Sequence, residues 1–187
     1  KDFGWRGNVE FTDFWFFWIP SDSVQKRLQK GLHAIGDWIA DGYIELAEGN
    51  YVSHEQIENK IAELSQRFNI KQIAFDRWNI GSLAENAAKQ GIRMLEFDQS
   101  MPNFTGPTKW FKEMAMDGRM KHGDNPVMRW MVANAVVITD THENIKVTKD
   151  AKRRRDKVDG VIASIMAKAL YYYEVERKTM RVRSFND

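Results

Sequence analysis

A chain of 187 residues with 43% apolar and 29% charged side chains suits one globular domain that buries its own core without disulfide or metal staples. The lack of cysteine excludes thiol catalysis, Cys-ligated zinc and iron–sulfur clusters and fits a reducing intracellular setting, and no apolar run approaches the ~20 residues of a membrane span. The net charge of +2 is small but unevenly spread: Lys146, Lys149, Lys152, Arg153, Arg154, Arg155 and Lys157 crowd one stretch, while Asp37 to Glu63 is mainly acidic.

Taken in order, Val9 to Ile19 is dense in Phe and Trp and reads as a central or near-central strand stopped by Pro20. Ser23 to Asp41 carries apolar residues at helical spacing, interrupted by Gly31 and Gly36, and predicts a broken helix. Tyr43 to Leu46 is a short strand, and Gly49-Asn50 supplies a turn. Ser53 and Gln56 form a capping-box pattern ahead of the stripe Ile57, Ile61, Leu64 and Phe68, so a helix is expected there, ending at Asn69. Lys71 to Phe75 is β-prone and leads into Asp76. Ser82 to Lys89 is a helix closed by Gly91, and Arg93 to Phe97 is another strand, leading into Asp98.

This β-α-β-α-β order predicts parallel strands with right-handed crossovers and ligands beyond their carboxyl ends, where Asp76 and Asp98 fall. Pro102, Gly106 and Pro107 predict a loop, followed by a short helix over Thr108 to Met116. His122 to Pro126 is a polar turn, Val127 to Ala135 a helix, and Val136 to Thr139 with Ile145 to Thr148 a hairpin. Val158 to Tyr173 is a strong helix whose buried face is Val161, Ile162, Ile165, Met166, Ala169 and Leu170. The basic tail after Glu176 is expected to fray.

No phosphate-wrapping Gly-x-x-x-x-Gly-Lys-Ser/Thr loop is present, the four histidines show no metal-ligand spacing, and there is no Gly-x-Ser-x-Gly elbow. A hydrolase built on this chain must therefore use oxygen ligands. Carboxylates are the hard donors that Mg²⁺ and Mn²⁺ prefer, and two such ions ~3.5–4 Å apart can activate water and stabilise the leaving oxygen of a phosphodiester. Asp76, at a strand's carboxyl end, and Asp159, in the first turn of the last helix, are the candidate ligands. Each also has a structural reading, Asp76 as a loop cap or partner of Arg77 and Asp159 as a side chain that offsets the helix dipole.

The stretch from Ile73 to Leu170 resembles the nuclease domain of tailed-phage large terminases. It does so through Phe75-Asp76-Arg77-Trp78, Pro107-Thr108-Lys109, His122-Gly123-Asp124-Asn125-Pro126-Val127-Met128-Arg129-Trp130 and Lys157-Val158-Asp159-Gly160. Phe17-Trp18-Ile19-Pro20 is similar to an earlier strand of that family. The resemblance implies an α/β, ribonuclease H-like fold, a mixed β-sheet with helices on both faces, over residues 1–187. It places Asp76 and Asp159 in an acidic two-metal cluster for Mg²⁺ or Mn²⁺. The family's first metal aspartate lies on an opening strand. Neither Asp2 nor Asp13 has the surroundings of that residue, so the chain is expected to begin after that strand and after a separate ATPase domain.

Asp98 and Asp124 stand where relatives are expected to carry small neutral residues; Asp98 is a third candidate ligand, with an exposed loop carboxylate as its plainer reading. Lys152, Arg153, Arg154, Arg155 and Lys157 directly precede Asp159, so phosphate contacts there would deliver a duplex to the metals without reading its sequence; a solvated charge run is the alternative. His122, Asn125 and Arg129 read as turn and scaffold residues, and Trp15, Trp18, Trp110 and Trp130 as core. The implied activity is metal-dependent cleavage of double-stranded concatemeric viral DNA in the cytoplasm of the infected host. The implied partners are the ATPase half of the large subunit, the small terminase subunit and the portal, with no membrane. The rivals are a resolvase- or integrase-type nuclease of the same fold and a non-catalytic DNA-binding or docking module.

Overall fold

The computed structural model describes residues 9–76, 81–150, 157–176 and 182–184. Strands β1 (Phe11–Thr12) and β2 (Trp18–Pro20) open the chain, followed by a 3-10 turn at Ser21–Ser23 and helices α1 (Val24–Gln29) and α2 (Ala34–Ala40). Then come β3 (Glu45–Ala47), α3 (His54–Arg67), β4 (Gln72–Phe75), α4 (Gly81–Lys89), β5 (Arg93–Phe97) and α5 (Met101–Met116). β6 (Met120–Lys121), α6 (Pro126–Ala133), the hairpin β7 (Ala135–Thr139) and β8 (Ile145–Lys149), α7 (Asp159–Glu176) and β9 (Val182–Ser184) complete it. The expected break between α1 and α2 is present, with Gly31 at φ +87. The capping box is also present, Ser53 Oγ accepting from the Gln56 amide while Gln56 Oε1 accepts from the Ser53 amide.

The aromatic segment differs from the single strand expected. β1 pairs in parallel with β6 and β2 in parallel with β3, but β6 ends at Lys121 and β3 begins at Glu45, so neither partner spans Asp13–Phe17. Its burial still alternates with period two, the odd side chains facing inward and Phe14 and Phe16 outward.

β4 and β5 run parallel, Ile73 opposite Met94 and Ala74 opposite Leu95, and β9 adds antiparallel to β5. The tail that was expected to fray is thus anchored at Val182–Ser184. This mixed sheet has helices on both faces. Ile73, Phe75 and Met94 pack with Ala84 and Ala87 of α4 and Ile61 of α3. Ala74 and Phe97 turn the other way, into the main core with Phe104, Trp110 and Met114 of α5, Met128 and Met131 of α6, and Val161, Ile165, Met166 and Ala169 of α7. Fully burying side chains such as Trp110, Phe97 and Phe104 contributes roughly 1.5–3 kcal/mol each.

The loop expected at Pro102 to Pro107 is instead the front half of α5. Pro102 occupies the first turn, where a missing N–H leaves nothing unsatisfied. Pro107 is inside the helix and cannot donate to the carbonyl of Asn103 four residues back. The Tyr173 hydroxyl of α7 donates to that carbonyl at 2.6 Å. Gly106 lets the two helices close, because a Cβ there would lie 2.7 Å from the Tyr172 hydroxyl oxygen. A tertiary contact therefore rescues a helix that local rules forbid. Burial pushes the Tyr173 phenol up to about 12, so it stays a donor at all ordinary pH. Tyr173→Phe leaves the Asn103 carbonyl without its donor and is expected to lower stability by about 1–3 kcal/mol in urea unfolding; an unchanged midpoint would show that water replaces the phenol at no cost.

Candidate functional site

The carboxyl ends of β4 and β5 meet on one side of the sheet because the two strands are parallel and in register. Asp76 follows β4 directly and is exposed. Its Oδ2 accepts a 2.7 Å hydrogen bond from Gln99 Nε2, two residues past β5. The same Gln99 nitrogen lies 3.8 Å from the Met166 sulfur of α7.

α7 runs antiparallel to β4. Ala167, Leu170, Tyr171 and Glu174 line, with Gln72–Ala74, a cleft of about 790 Å³, whereas Met166 sits beside Gln99 at the strand ends. Asp159 is seven residues before Met166, hence on the same face of the helix and two turns, roughly 10 Å, further toward its N-terminus. It is exposed and makes no hydrogen bond or ion pair among the described residues. Gly160 lets that first turn lie close: a Cβ there would lie 2.9 Å from Met131 Sδ and 3.0 Å from Phe17 Cε1, so a larger residue would make these side chains shift.

Asp98 is differently employed. Its Oδ1 accepts from the Ser100 amide at 3.0 Å and its Oδ2 from the Ser100 hydroxyl at 2.9 Å, placing its charge at the N-terminus of α5. These bonds give Asp98 a structural task of its own beside the candidate role of third ligand. Asp13 is likewise committed: Lys168, 3% exposed on α7, donates to its Oδ1 at 2.6 Å and to Ser164 Oγ at 2.9 Å.

Among the described residues no group of three or more His, Asp or Glu side chains gathers as a metal cage. Lys152, Arg153, Arg154 and Arg155, and the Arg77-Trp78 pair of the strand-end motif, lie outside the described residues. Lys157 is half-buried, and its carbonyl accepts a 3.4 Å bond from Asn134 Nδ2.

The polar turn behaves as scaffold. Asn125 Oδ1 accepts from the Val127 and Met128 amides and caps α6, His122 Nδ1 accepts from the Asp124 amide, and Arg129 pairs with Asp124, whose carboxyl that bond holds below its usual range. Gln99, Lys168 and the two contact glycines were not singled out from sequence, for an amide, a lysine in an apolar helix and a glycine carry no local mark of their partners.

Residues 14–173 match the family model described as the terminase large subunit, endonuclease domain. The chain belongs to this family. The terminase large subunit of Enterobacteria phage HK97 is 28% identical over 156 residues, covering 82% of this chain and 31% of that protein. Protein YmfN of Escherichia coli (strain K12) is 22% identical over 175 residues, covering 90% of this chain and 38% of YmfN. The crystal structure of the HK97 bacteriophage large terminase superposes with a TM-score of 0.74 at 27% identity, covering 85% of this chain and 33% of that one. The terminase nuclease domain is thus an α/β fold of the ribonuclease H-like type, as the motifs implied, and the chain spans about a third of the length of these relatives. No described helix is long and apolar enough to cross a membrane.

The Asp13–Lys168 pair of this terminase domain is open to a direct test. Burial pushes the Lys168 ammonium down from its usual range, and the Asp13 carboxylate partly offsets that by hydrogen bond and charge. Asp13→Ala leaves a buried cation alone and is expected to cost about 3–5 kcal/mol near pH 7. With its folded-state pKa further depressed, the lysine binds fewer protons folded than unfolded, so the variant's deficit relative to the parent shrinks as pH rises toward 10.5. Chemical denaturation at pH 7 and pH 9.5 reads both; a deficit independent of pH means the ammonium is not what is stranded.

Proposed function

We propose that this chain is a Mg²⁺- or Mn²⁺-dependent endonuclease domain that cuts double-stranded concatemeric viral DNA during genome packaging. The observation that carries this reading is the Asp76 carboxylate, exposed at the strand ends with one oxygen held by Gln99 and the other without a partner among the described residues. Asp159, without a partner among the described residues and two helical turns before the Met166 that touches Gln99, is the second ligand. Two oxygen donors of this kind fit a hard divalent cation, and a phosphate oxygen and water would complete its shell. When bound, the cation supplies Lewis acidity for the attacking water and the leaving oxygen of the phosphodiester. The residues of the chain bind and orient. Asp76 and Asp159 hold the ions, and Lys152, Arg153, Arg154, Arg155 and Lys157 contact backbone phosphates, so cleavage is sequence-tolerant at this domain.

The partners proposed are the ATPase domain of the large subunit, the small terminase subunit and the portal, in the host cytoplasm. The same fold without cleavage, a DNA-binding or docking module of the motor, is the second reading, and the lack of a three-residue acidic group among the described residues favours it. Supercoiled-plasmid cleavage with Mn²⁺ or Mg²⁺ separates the two. The endonuclease reading expects chelation to stop the reaction. Asp76→Ala and Asp159→Ala should each slow it on the order of a hundredfold or more, since several kcal/mol of charge stabilisation are lost. Salt-sensitive DNA binding without cleavage in any protein supports the docking module, and equal cleavage by all three would sink the assignment of both aspartates.

A further inference from the structure

Resting on the metal reading of Asp76, we infer that Gln99 is the positioning residue that fixes this carboxylate for cation binding. Gln99 is braced from three sides. Its main-chain carbonyl accepts a 2.6 Å bond from Lys146 Nζ of β8, and that ammonium lies 5.3 Å from the centroid of the Phe104 ring of α5. Its side-chain nitrogen touches Met166 of α7 and donates to Asp76 Oδ2. Asp76 after β4 and Met166 of α7 thus meet the half-buried side chain of Gln99, while Lys146 of β8 holds its backbone.

The chemistry of that amide suits the task. An exposed aspartate past a strand end is free to rotate about two torsions, and ordering it when a metal binds costs affinity. A neutral donor removes that freedom while leaving the carboxylate its full charge and its second oxygen. A lysine or arginine in the same place would fix the rotamer equally well but would compete with the cation for the charge. Lys146 donates to the main-chain carbonyl of Gln99 and makes no ion pair with Asp76 among the described residues, so it steadies the backbone that carries the amide.

Gln99→Met keeps the length and an apolar contact with Met166 and removes the side-chain amide, its donor to Asp76 included. Mn²⁺ titration calorimetry on the full chain, without DNA, is expected to show affinity weakened roughly 10- to 100-fold with the melting temperature little changed. Gln99→Ala is expected to behave alike, which guards against a fault peculiar to the longer side chain. Asp76→Ala is the reference. If Asp76→Ala loses Mn²⁺ while both Gln99 variants bind as the parent does, Gln99 does not position the ligand and only this inference falls. If Asp76→Ala binds Mn²⁺ undiminished, the metal reading of Asp76 falls first. If the Gln99 variants lose thermal stability but keep their Mn²⁺ affinity, the amide is structural and the inference is overturned.

Discussion

The seating of α7 is the constraint from which the rest of this molecule follows. Val161, Ile165, Met166 and Ala169 are buried in the main core, and Leu170, Tyr172 and Tyr173 are buried further along, so the helix is enclosed on more than one side. A helix enclosed in this way cannot slide or rotate without opening voids, since interiors pack at crystal-like density and each lost contact is felt. Its register against β4 decides where Asp159 emerges, and its contact with Gln99 decides how that register relates to Asp76. Two glycines make the seating possible. Gly160 brings its first turn against Met131 and Phe17, and Gly106 lets α5 lie against Tyr172.

The same helix carries a charge that packing alone would not place there. Lys168 is 3% exposed, with Phe11 and Phe111 rings 5.3 and 5.8 Å from its ammonium and Asp13 and Ser164 as partners. Isolated, such a charge is too costly to bury; paired and hydrogen-bonded, it is tolerable without being a large source of stability. Its value is directional. An apolar contact would let the aromatic segment settle in several registers against α7, whereas the pair is satisfied in one, which ties β1 to the helix that presents Asp159.

Much of this architecture was legible in residue patterns, and the misses share a physical cause. The parallel β4–β5 pair, the capping box at Ser53, the break at Gly31, the hairpin and α7 all rest on local signals: period, caps, turn chemistry and apolar stripes. The front half of α5 was misread because Pro102, Gly106 and Pro107 are loop residues by local rules, and a Tyr173 hydroxyl 66 residues away in sequence overrules them. The aromatic segment was read as one strand because its alternation is real, but alternation reports burial and not the presence of a neighbour to pair with. Asp76 and Asp159 are named from position and family pattern, and their role as ligands is a proposal. Gln99 was not legible, since nothing in an isolated glutamine tells which carboxylate it will meet.

Sorting the aspartates by what their oxygens do narrows the chemistry further. Asp13 is bound to a buried lysine, Asp98 caps α5 through both oxygens, Asp124 is held by Arg129, and Asp140 closes the β7–β8 turn by accepting from His142 and Asn144. Each of these has a structural task that explains its presence. Among the described residues Asp76 is engaged on one side only and by a neutral donor, and Asp159 makes no hydrogen bond or ion pair. Dipole compensation gives Asp159 a reason to exist, worth a few tenths to about 1 kcal/mol at an exposed first turn. It gives no reason for the glycine contact that seats this turn so closely at the site's edge. The metal reading proposed for Asp76 and Asp159 would give the two carboxylates a common task, and it stands or falls with their cation binding.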